Sequence, residues 1–365
     1  MTLFRLCGGA ALGLAIALTS CRADNAASGR GDPRLRDPQV ARLALAPADS
    51  LVLGSPADGV FSVTDFEIHD GNVYIVDEMA KTVHVFNASG ERIRTLGREG
   101  SGPGEFRMPA SVAFSDEGVL VMDPSHGKRV SLFGHDGRFI EMRNFDTPTA
   151  ATSIITDRGR MIGMGVLAIA DPEREGRNVL GITDAAGKRL GAGCAIDERY
   201  IESSRTGGMI GSLTYGSVAA RDGRIYCTQM ISPVVQVMDS LGRPIEQMRL
   251  TPPFYAAPED RPATQDRTAI LSYLATFTAH VAFHPVEGGF VSVYSRYSDE
   301  WTGIRYHLFI CDTTQPEPRC GVVHDTPKPV YVASLDRIYI QRDGHPDEPM
   351  RIGVYRSQPV PSADR

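Results

Sequence analysis

Internal repetition constrains this 365-residue chain more than any other feature of its sequence. One unit occupies residues 66–90, and a second unit begins about 47 residues later and ends near residue 137. Both units alternate apolar and polar residues over short runs that are separated by turns containing Asp or Gly. This pattern is typical of β-hairpins. Each unit therefore predicts four antiparallel strands.

Four weaker copies of the unit follow, around Ile154, Val218, Val281 and Val332. Six four-stranded sheets repeated radially make a six-bladed β-propeller, an all-β fold. The last copy has only three strands, whereas the apolar segment 40–53 precedes the first unit and has no partner there. We predict that this N-terminal strand is the fourth strand of the last blade, because such closure removes an exposed edge.

Composition agrees with a turn-rich, folded protein. The chain has 37 glycines, 24 prolines and 42% apolar residues, which favours many short strands around a sizeable core. The formal net charge of −6 argues against a general nucleic-acid-binding protein.

The amino terminus carries a targeting signal. A short basic start is followed by an apolar run at residues 6–18, which is of signal-peptide length and too short to span a membrane. The run ends in Leu18-Thr19-Ser20-Cys21, which resembles the bacterial lipobox. The resemblance implies cleavage before Cys21 and acylation of that residue. The alternative is an ordinary secretory signal.

Several expectations follow from this lipobox. Residues 1–20 are the signal peptide, and residues 21–38 are a flexible tether because they are rich in small and polar residues. Acyl chains would hold the protein at the membrane without a spanning helix. Arg22, where the enterobacterial sorting rule has Asp for inner-membrane retention, favours the outer membrane. We expect a lipid-anchored protein of the bacterial cell envelope that faces the periplasm or the exterior.

Four cysteines remain after the lipidated segment, namely Cys194, Cys227, Cys311 and Cys320. An even number in an oxidising compartment predicts disulfides, with three connectivities open. The short loop between Cys311 and Cys320 favours that bridge, which leaves Cys194 for Cys227. Zinc binding is the competing interpretation, but the spacing does not provide paired CxxC motifs.

A family resemblance appears in the first two units. The segment LGREGSGPGEFRMPASVAF at 96–114 resembles NHL-repeat six-bladed propellers. That resemblance implies that Phe106 packs between blades and that Pro109 precedes an innermost strand. Together with the lipobox, the chain resembles bacterial six-bladed β-propeller lipoproteins, a resemblance that implies a fold and no single activity. We expect the propeller to occupy residues 39–358, followed by a C-terminal tail at 359–365.

Three stretches exceed a plain blade: 163–178, 193–216 and 251–280. Within the last of them, the apolar spacing over 264–278 predicts a short helix between blades 4 and 5, lying over one propeller face. Insertions that gather on one face of a repeat protein often mark its binding face.

Candidate binding residues come from two places. Aligning the innermost strands puts a polar or small set on one side, which should line the central channel because side chains alternate along a strand. Its candidate ligand-binding members are Asp65, Glu67, His69, Arg221, His280 and His284. A loop of blade 5 adds Arg296, Tyr297 and Trp301, which suit stacking on a ligand or partner. Asp77 and Asp123 each end a strand and are expected to cap the turn that follows, with metal ligation as the alternative.

No standard catalytic motif occurs in the sequence, since GxSxG, HExxH, GxxxxGK and GxGxxG are all absent. We therefore assign no catalytic residue, cofactor or metal. The expected function is a scaffold that binds a small molecule or an envelope protein, with no nucleic-acid partner. The alternative is a metal-dependent hydrolase or lyase that uses Glu67 and His284 in the channel. Gluconolactonase-type propellers hold a metal there with carboxylate and Asn ligands, and the channel positions of this chain carry no Asn.

Overall fold

The computed structural model describes residues 40–55, 60, 62–127, 129–146, 151–165, 178–213, 216–298, 303–342 and 348–359. The predictions for the signal peptide, the tether, Cys21, Trp301 and the tail from residue 360 onwards concern residues outside these ranges.

Antiparallel strands account for most of the described residues. In chain order they are β1 (Val40–Leu53), β2 (Val63–His69), β3 (Asn72–Asp77), β4 (Thr82–Phe86), β5 (Arg92–Leu96), β6 (Arg98–Glu99), β7 (Glu105–Phe106), β8 (Ser111–Ser115), β9 (Gly118–Met122), β10 (Arg129–Phe133), β11 (Phe139–Asn144), β12 (Ala151–Asp157), β13 (Arg160–Gly165), β14 (Asn178–Thr183), β15 (Arg189–Ala195), β16 (Gly216–Arg221), β17 (Arg224–Gln229), β18 (Val234–Asp239), β19 (Pro244–Arg249), β20 (Ala279–Val286), β21 (Gly289–Tyr297), β22 (Ile304–Asp312), β23 (Arg319–Thr326), β24 (Pro329–Ser334), β25 (Arg337–Gln341) and β26 (Met350–Pro359). The α-helices of this part of the chain are α1 (Glu198–Thr206) and α2 (Arg267–Leu274).

These strands form the six blades of a β-propeller, as the repeat predicts. Blades 1 to 4 are the four-stranded sheets β2–β5, β8–β11, β12–β15 and β16–β19. Blade 5 is β20–β23, and blade 6 combines β24, β25 and β26 with β1. The first strand of each blade is the innermost one, and the short parallel pair β6 and β7 lies in the connection between blades 1 and 2.

β1 joins the two ends of the chain. It pairs antiparallel with β26 from Leu43 opposite Pro359 to Leu53 opposite Met350. Before this ladder, Val40 pairs in parallel with Cys320 on the outer strand of blade 5. Blades 5 and 6 therefore form one continuous eight-stranded sheet. The ladder runs to Pro359, one residue beyond the predicted end of the propeller.

Apolar side chains fill the spaces between blades. Phe106 is fully buried, and its ring centroid lies 5.9 Å from that of Phe133 of blade 2, in a cluster that also holds Leu96 of blade 1. Gly97 has φ = 72°, and a Cβ at this position would overlap the Phe106 ring. A side chain at Gly97 would thus displace Phe106 from the interface between blades 1 and 2.

Two buried aspartates cap turns, in agreement with the expectation from the sequence. Asp77 Oδ1 accepts hydrogen bonds from the amides of Met79 and Ala80, each 3.0 Å long. Asp123 Oδ1 accepts from Ser125 N at 2.8 Å, and its Oδ2 accepts from Arg107 N at 2.7 Å. These carboxylates hold the turns between the second and third strands of blades 1 and 2.

Both disulfides form with the favoured pairing. Cys311 and Cys320 link β22 to β23 within blade 5. Cys194 and Cys227 link β15 of blade 3 to β17 of blade 4. The second bridge therefore ties neighbouring blades covalently.

The two insertions between blades pack against each other. Ser203 Oγ donates to Asp260 Oδ1 at 3.0 Å, and the amide of Met209 donates to the carbonyl of Arg261 at 2.7 Å. Tyr200 and Tyr273 are buried with the apolar residues of blades 3 and 4. α1 was not predicted, and α2 is shorter than the predicted helix at 264–278. Across the described ranges, no helix is long and apolar enough to cross a membrane.

Alternating strand directions define two faces of the ring. We call the face where the chain passes from one blade to the next the connection face, and the insertions at 196–213 and 250–278 lie there. We call the opposite face, which holds the turns between first and second strands, the turn face. Its turns include Asp70 with Gly71, Arg158 with Gly159, and Asp222 with Gly223.

Candidate functional site

The innermost strands enclose a channel cavity of about 290 Å³. Asp65 and Glu67 of blade 1, His284 of blade 5 and Tyr331 of blade 6 line it. Three of the six predicted channel residues are thus brought together on one cavity.

Asp65 serves as a bridge between blades. Its Oδ2 accepts a 2.8 Å hydrogen bond from the amide of Val112 in blade 2. Burial raises the pKa of Asp65 even though this hydrogen bond opposes the shift. Ser111 and Ser217 occupy the corresponding positions of other blades, and each accepts an amide hydrogen bond from a neighbouring inner strand, at 3.2 and 3.3 Å. This row of polar residues holds inner strands together.

Glu67 and His284 lie at the same depth in the channel. Each is two residues before the last paired residue of its strand, His69 in blade 1 and Val286 in blade 5. No other described residue makes a hydrogen bond to either side chain. Burial and the nearby Asp65 raise the pKa of Glu67 well above its usual range, and burial lowers the pKa of His284 to about 4. The cavity therefore favours the uncharged form of both groups.

Tyr331 completes this group. It belongs to blade 6, which stands between the blades of Glu67 and His284 in the ring. Burial, together with the negative charge of Glu67, raises the pKa of Tyr331 to about 12. The channel wall thus offers a hydroxyl, a carboxyl and an imidazole, all of them held toward their neutral forms.

We expect Glu67→Gln to stabilise the protein at about pH 7 and to have little effect near pH 4. The folded-state pKa of Glu67 lies above its unfolded value, so the favourable contribution is present below the unfolded pKa. It is lost as the pH rises through the folded pKa, and Gln avoids this loss because it cannot ionise. Chemical denaturation at both pH values would measure the difference. Glu99→Gln on the exposed surface is the matched control, and an equal gain at both pH values would contradict the prediction.

His280 does not face the channel, and its prediction as a channel residue is wrong. In β20, His280 pairs with Tyr294 and Ala282 pairs with Val293, so Val281 is an extra, unpaired residue. This β-bulge inverts the alternation of side chains at His280. The fully buried ring instead donates from Nδ1 to the carbonyl of Ser232 (3.3 Å), its Nε2 lies 2.6 Å from Ser292 Oγ, and the ring stacks on Tyr294. It is a core residue between blades 4 and 5.

The other candidates are placed away from the channel. His69 stands at the turn face and stacks on Phe114 with ring centroids 4.0 Å apart. Arg221 forms a 3.4 Å ion pair with Asp222 in the blade 4 turn, and it is not among the described residues that line the channel cavity. Arg296 donates from Nε to the carbonyl of Ala275, which ties blade 5 to the insertion that carries α2.

Tyr297 is half-buried at the end of β21, where it pairs with Ile304. Because Trp301 lies outside the described residues, an aromatic and arginine surface formed by Arg296, Tyr297 and Trp301 stays a prediction.

A larger pocket of about 800 Å³ lies on the turn face over blades 1 to 3, and the sequence analysis missed it. We call it the turn-face pocket. Its lining includes His69, Phe114, Arg143, Thr156, Arg158 and Arg160. Thr156 also lines the channel cavity, so the two spaces meet at that residue. One signal was present in the sequence, because the turn that carries Asp70 in blade 1 and Asp222 in blade 4 carries Arg158 in blade 3.

The described residues contain no group of three or more His, Cys, Asp or Glu side chains that could hold a metal ion. Asp65, Glu67 and His284 share a cavity without forming such a group.

Comparison with known proteins agrees with this architecture. The model of a protein family described as a 6-bladed beta-propeller (DUF5128) matches residues 59–198. The fold is a six-bladed β-propeller. No curated protein matches the chain.

Two solved structures share the propeller fold over most of its length. A Bacteroides fragilis protein described as exported has a TM-score of 0.61 and 11% identity, over 87% of this chain and 95% of its own. A member of the DUF4221 family from Bacteroides vulgatus has a TM-score of 0.59 and 11% identity, over 87% of this chain and 99% of its own. At this identity the likeness concerns the fold alone.

Proposed function

We propose that this propeller is an exported, lipid-anchored binding protein of the bacterial envelope that takes a small-molecule ligand in the turn-face pocket. The observation that carries the proposal is the pocket itself, a concavity of about 800 Å³ at the mouth of the channel. Ligand pockets usually enclose roughly 300–1,000 Å³ and combine apolar surface with a few polar groups. This pocket falls within that range.

The pocket has the surfaces that a binding site needs. The rings of His69 and Phe114 stack in parallel, with centroids 4.0 Å apart and an interplanar angle of 4°, and both residues line the pocket. Charged side chains from the turns of blades 1 to 3 line it with them. A ligand could therefore gain apolar contact and directional hydrogen bonds in one place.

The location of the pocket supports entry from the turn face. The two insertions occupy the connection face and bury aromatic residues such as Tyr200 against blades 3 and 4. The proposal thus places the ligand on the face opposite these insertions. The idea from sequence that insertions mark the binding face stays a separate prediction.

Export and anchoring are supported by three independent features. The lipobox at Cys21 fits acylation, and the position of Arg22 favours the outer membrane. Two disulfides suit an oxidising compartment. One structural neighbour is described as exported. The described residues lack a metal-ligand cluster, so the metal-dependent hydrolase or lyase alternative gains no support from this geometry.

Thermal melts of the purified mature protein in detergent would test the binding proposal. The panel holds sugars, amino acids, short peptides and small carboxylates, each at about 1 mM. At that concentration a ligand with a Kd of about 10 μM is present at 100 times its Kd and stabilises the folded protein by about 2.7 kcal/mol. We expect at least one compound to raise the melting temperature. Ser115→Trp, which fills the pocket, should abolish that rise.

Ser240→Trp is the matched control, since Ser240 is also a half-buried serine but lies in a blade 4 turn away from the pocket. If no compound shifts the melting temperature, or if the shift survives Ser115→Trp, the turn-face pocket is not the binding site.

A further inference from the structure

We infer that the turn-face pocket recognises an organic carboxylate, bound by the guanidinium groups of Arg158 and Arg160 while the body of the ligand lies against Phe114. This inference rests on the proposed function and adds the chemical class of the ligand. It is carried by two arginines that line the pocket and that form no ion pair with any described residue.

Arg158 stands in an unusual place for an arginine. Its φ is 49°, in the left-handed region that Asp and Asn adopt more readily than other non-glycine residues. The corresponding residues of blades 1 and 4, Asp70 and Asp222, have φ of 48° and 53°. Blade 3 therefore keeps the same turn with a residue less suited to it. Arg158 therefore places a positive charge at the pocket, where the equivalent turns of blades 1 and 4 carry a negative charge.

Arg160 carries an unsatisfied polar group. It is opposite Asp157 in the β12–β13 hairpin, and its Nε atom is buried without a hydrogen-bond partner. Burying a donor without a partner is unfavourable, and the group gains a strong charge-assisted hydrogen bond if an anion reaches it. Asp157 approaches neither guanidinium within ion-pair distance, and its own Oδ2 is also buried without a partner. Arg160 also lines the turn-face pocket, and no described residue forms an ion pair with its guanidinium.

The remaining charges of the pocket largely cancel. Arg143 is held by Glu117 and by a 2.7 Å hydrogen bond to Glu141, and it also donates to the carbonyl of Ala185 at 3.1 Å. Asp70 lies 3.5 Å from the ring of its neighbour His69. With the Arg143 and Glu117 pair set aside, the lining holds the guanidinium groups of Arg158 and Arg160 and the carboxylates of Asp70 and Asp116. Preference for a carboxylate must therefore come from the shape and the hydrogen bonds of the two guanidinium groups, because the net charge of the lining is close to zero.

The form of the two cations favours a carboxylate. A guanidinium is planar and presents parallel N–H groups that match the two oxygens of a carboxylate. The stacked pair of Phe114 and His69 lines the pocket, is fixed by the contact of Phe114 with Tyr74 at 4.7 Å, and gives the rest of the ligand an aromatic surface. The ligand class is therefore a carboxylate on a ring or a similarly flat body.

Matched ligand pairs test the class. Binding to the mature protein would be measured by calorimetry for glucuronate against glucose and for benzoate against benzamide, with inorganic phosphate and glucose 6-phosphate as further anions. We expect carboxylates to bind at least about 10-fold more tightly than their neutral partners, because one charge-assisted hydrogen bond lowers the Kd by about that factor. Equal or tighter binding of the neutral partners, or of the phosphates, would overturn the carboxylate assignment while leaving a binding pocket. Absence of binding by every compound would count against the proposed function as well.

Two variants tie the effect to the arginines. Arg158→Asp restores the residue that blades 1 and 4 use in this turn, so we expect folding to be preserved and carboxylate binding to weaken about 10-fold or more. Arg160→Ala should weaken it similarly. Arg224→Ala is the matched control, because Arg224 holds the same position in the blade 4 hairpin, 3.8 Å from Glu246, and is outside the pocket lining. If Arg158→Asp binds as the natural protein does and Arg160→Ala behaves like Arg224→Ala, the inference is wrong.

Discussion

Deletion of residues 40–53 is expected to make the propeller insoluble or to lower its melting temperature sharply. The deletion removes the ladder between β1 and β26 and exposes the edge of blade 6. It also uncovers the apolar surface against which Leu53 is buried and against which Leu43, Leu45 and Leu51 are half-buried. Burying one such side chain fully contributes roughly 1.5–3 kcal/mol, and whole domains are stable by only about 5–15 kcal/mol.

Val52 contributes less to this effect than the sequence suggests, because its side chain is 39% exposed. Deleting residues 22–38, which the sequence identifies as tether, is the control and should leave the melting temperature nearly unchanged. Thermal melts of the two truncated proteins would decide the point. If a protein that begins at residue 54 is as stable as one that begins at residue 39, the ring does not depend on its N-terminal strand.

Cys21→Ser should abolish acylation and globomycin-sensitive processing, and with them anchoring through acyl chains. The substitution removes the thiol that would receive the diacylglyceryl group, and the lipoprotein signal peptidase requires the modified cysteine. Without acyl chains to bury in the bilayer, the predicted lipid anchor is lost. Cell fractionation and sensitivity of processing to globomycin would measure the two steps.

Cys7→Ser is the matched control, because Cys7 lies within the apolar run that is removed with the signal peptide and should not affect anchoring. A Cys21→Ser protein that is processed with the same globomycin sensitivity as the natural one would rule out lipid modification at this residue.

The architecture follows from local sequence because each blade is a local structure. Turn glycines and alternating apolar residues act over a few positions, and β3 and β9 are buried runs between such turns. Repetition of this pattern was enough to count blades. The capping roles of Asp77 and Asp123 could likewise be predicted, since each follows a strand and precedes a turn.

The candidate site was harder to predict because it depends on register and on distant parts of the chain. The single extra residue Val281 reversed the direction of His280, and no residue pattern marks such a bulge. α1 escaped prediction because its stability comes from burial of Tyr200 against blades 3 and 4. The turn-face pocket draws residues from three blades, so periodicity along one strand could not reveal it.

Because Leu43 pairs with Pro359, the ladder between the first and the last strand of the chain must form late in folding. An exported chain emerges from its secretion channel amino terminus first, so β1 arrives before any other strand and its partner β26 arrives last. Blades 1 to 4 contain only local pairings and can form early, whereas the ring can close only after the whole chain has emerged. Until then the part of β1 from Leu43 to Leu53 has no partner strand, and closure of the ring is the last step of folding.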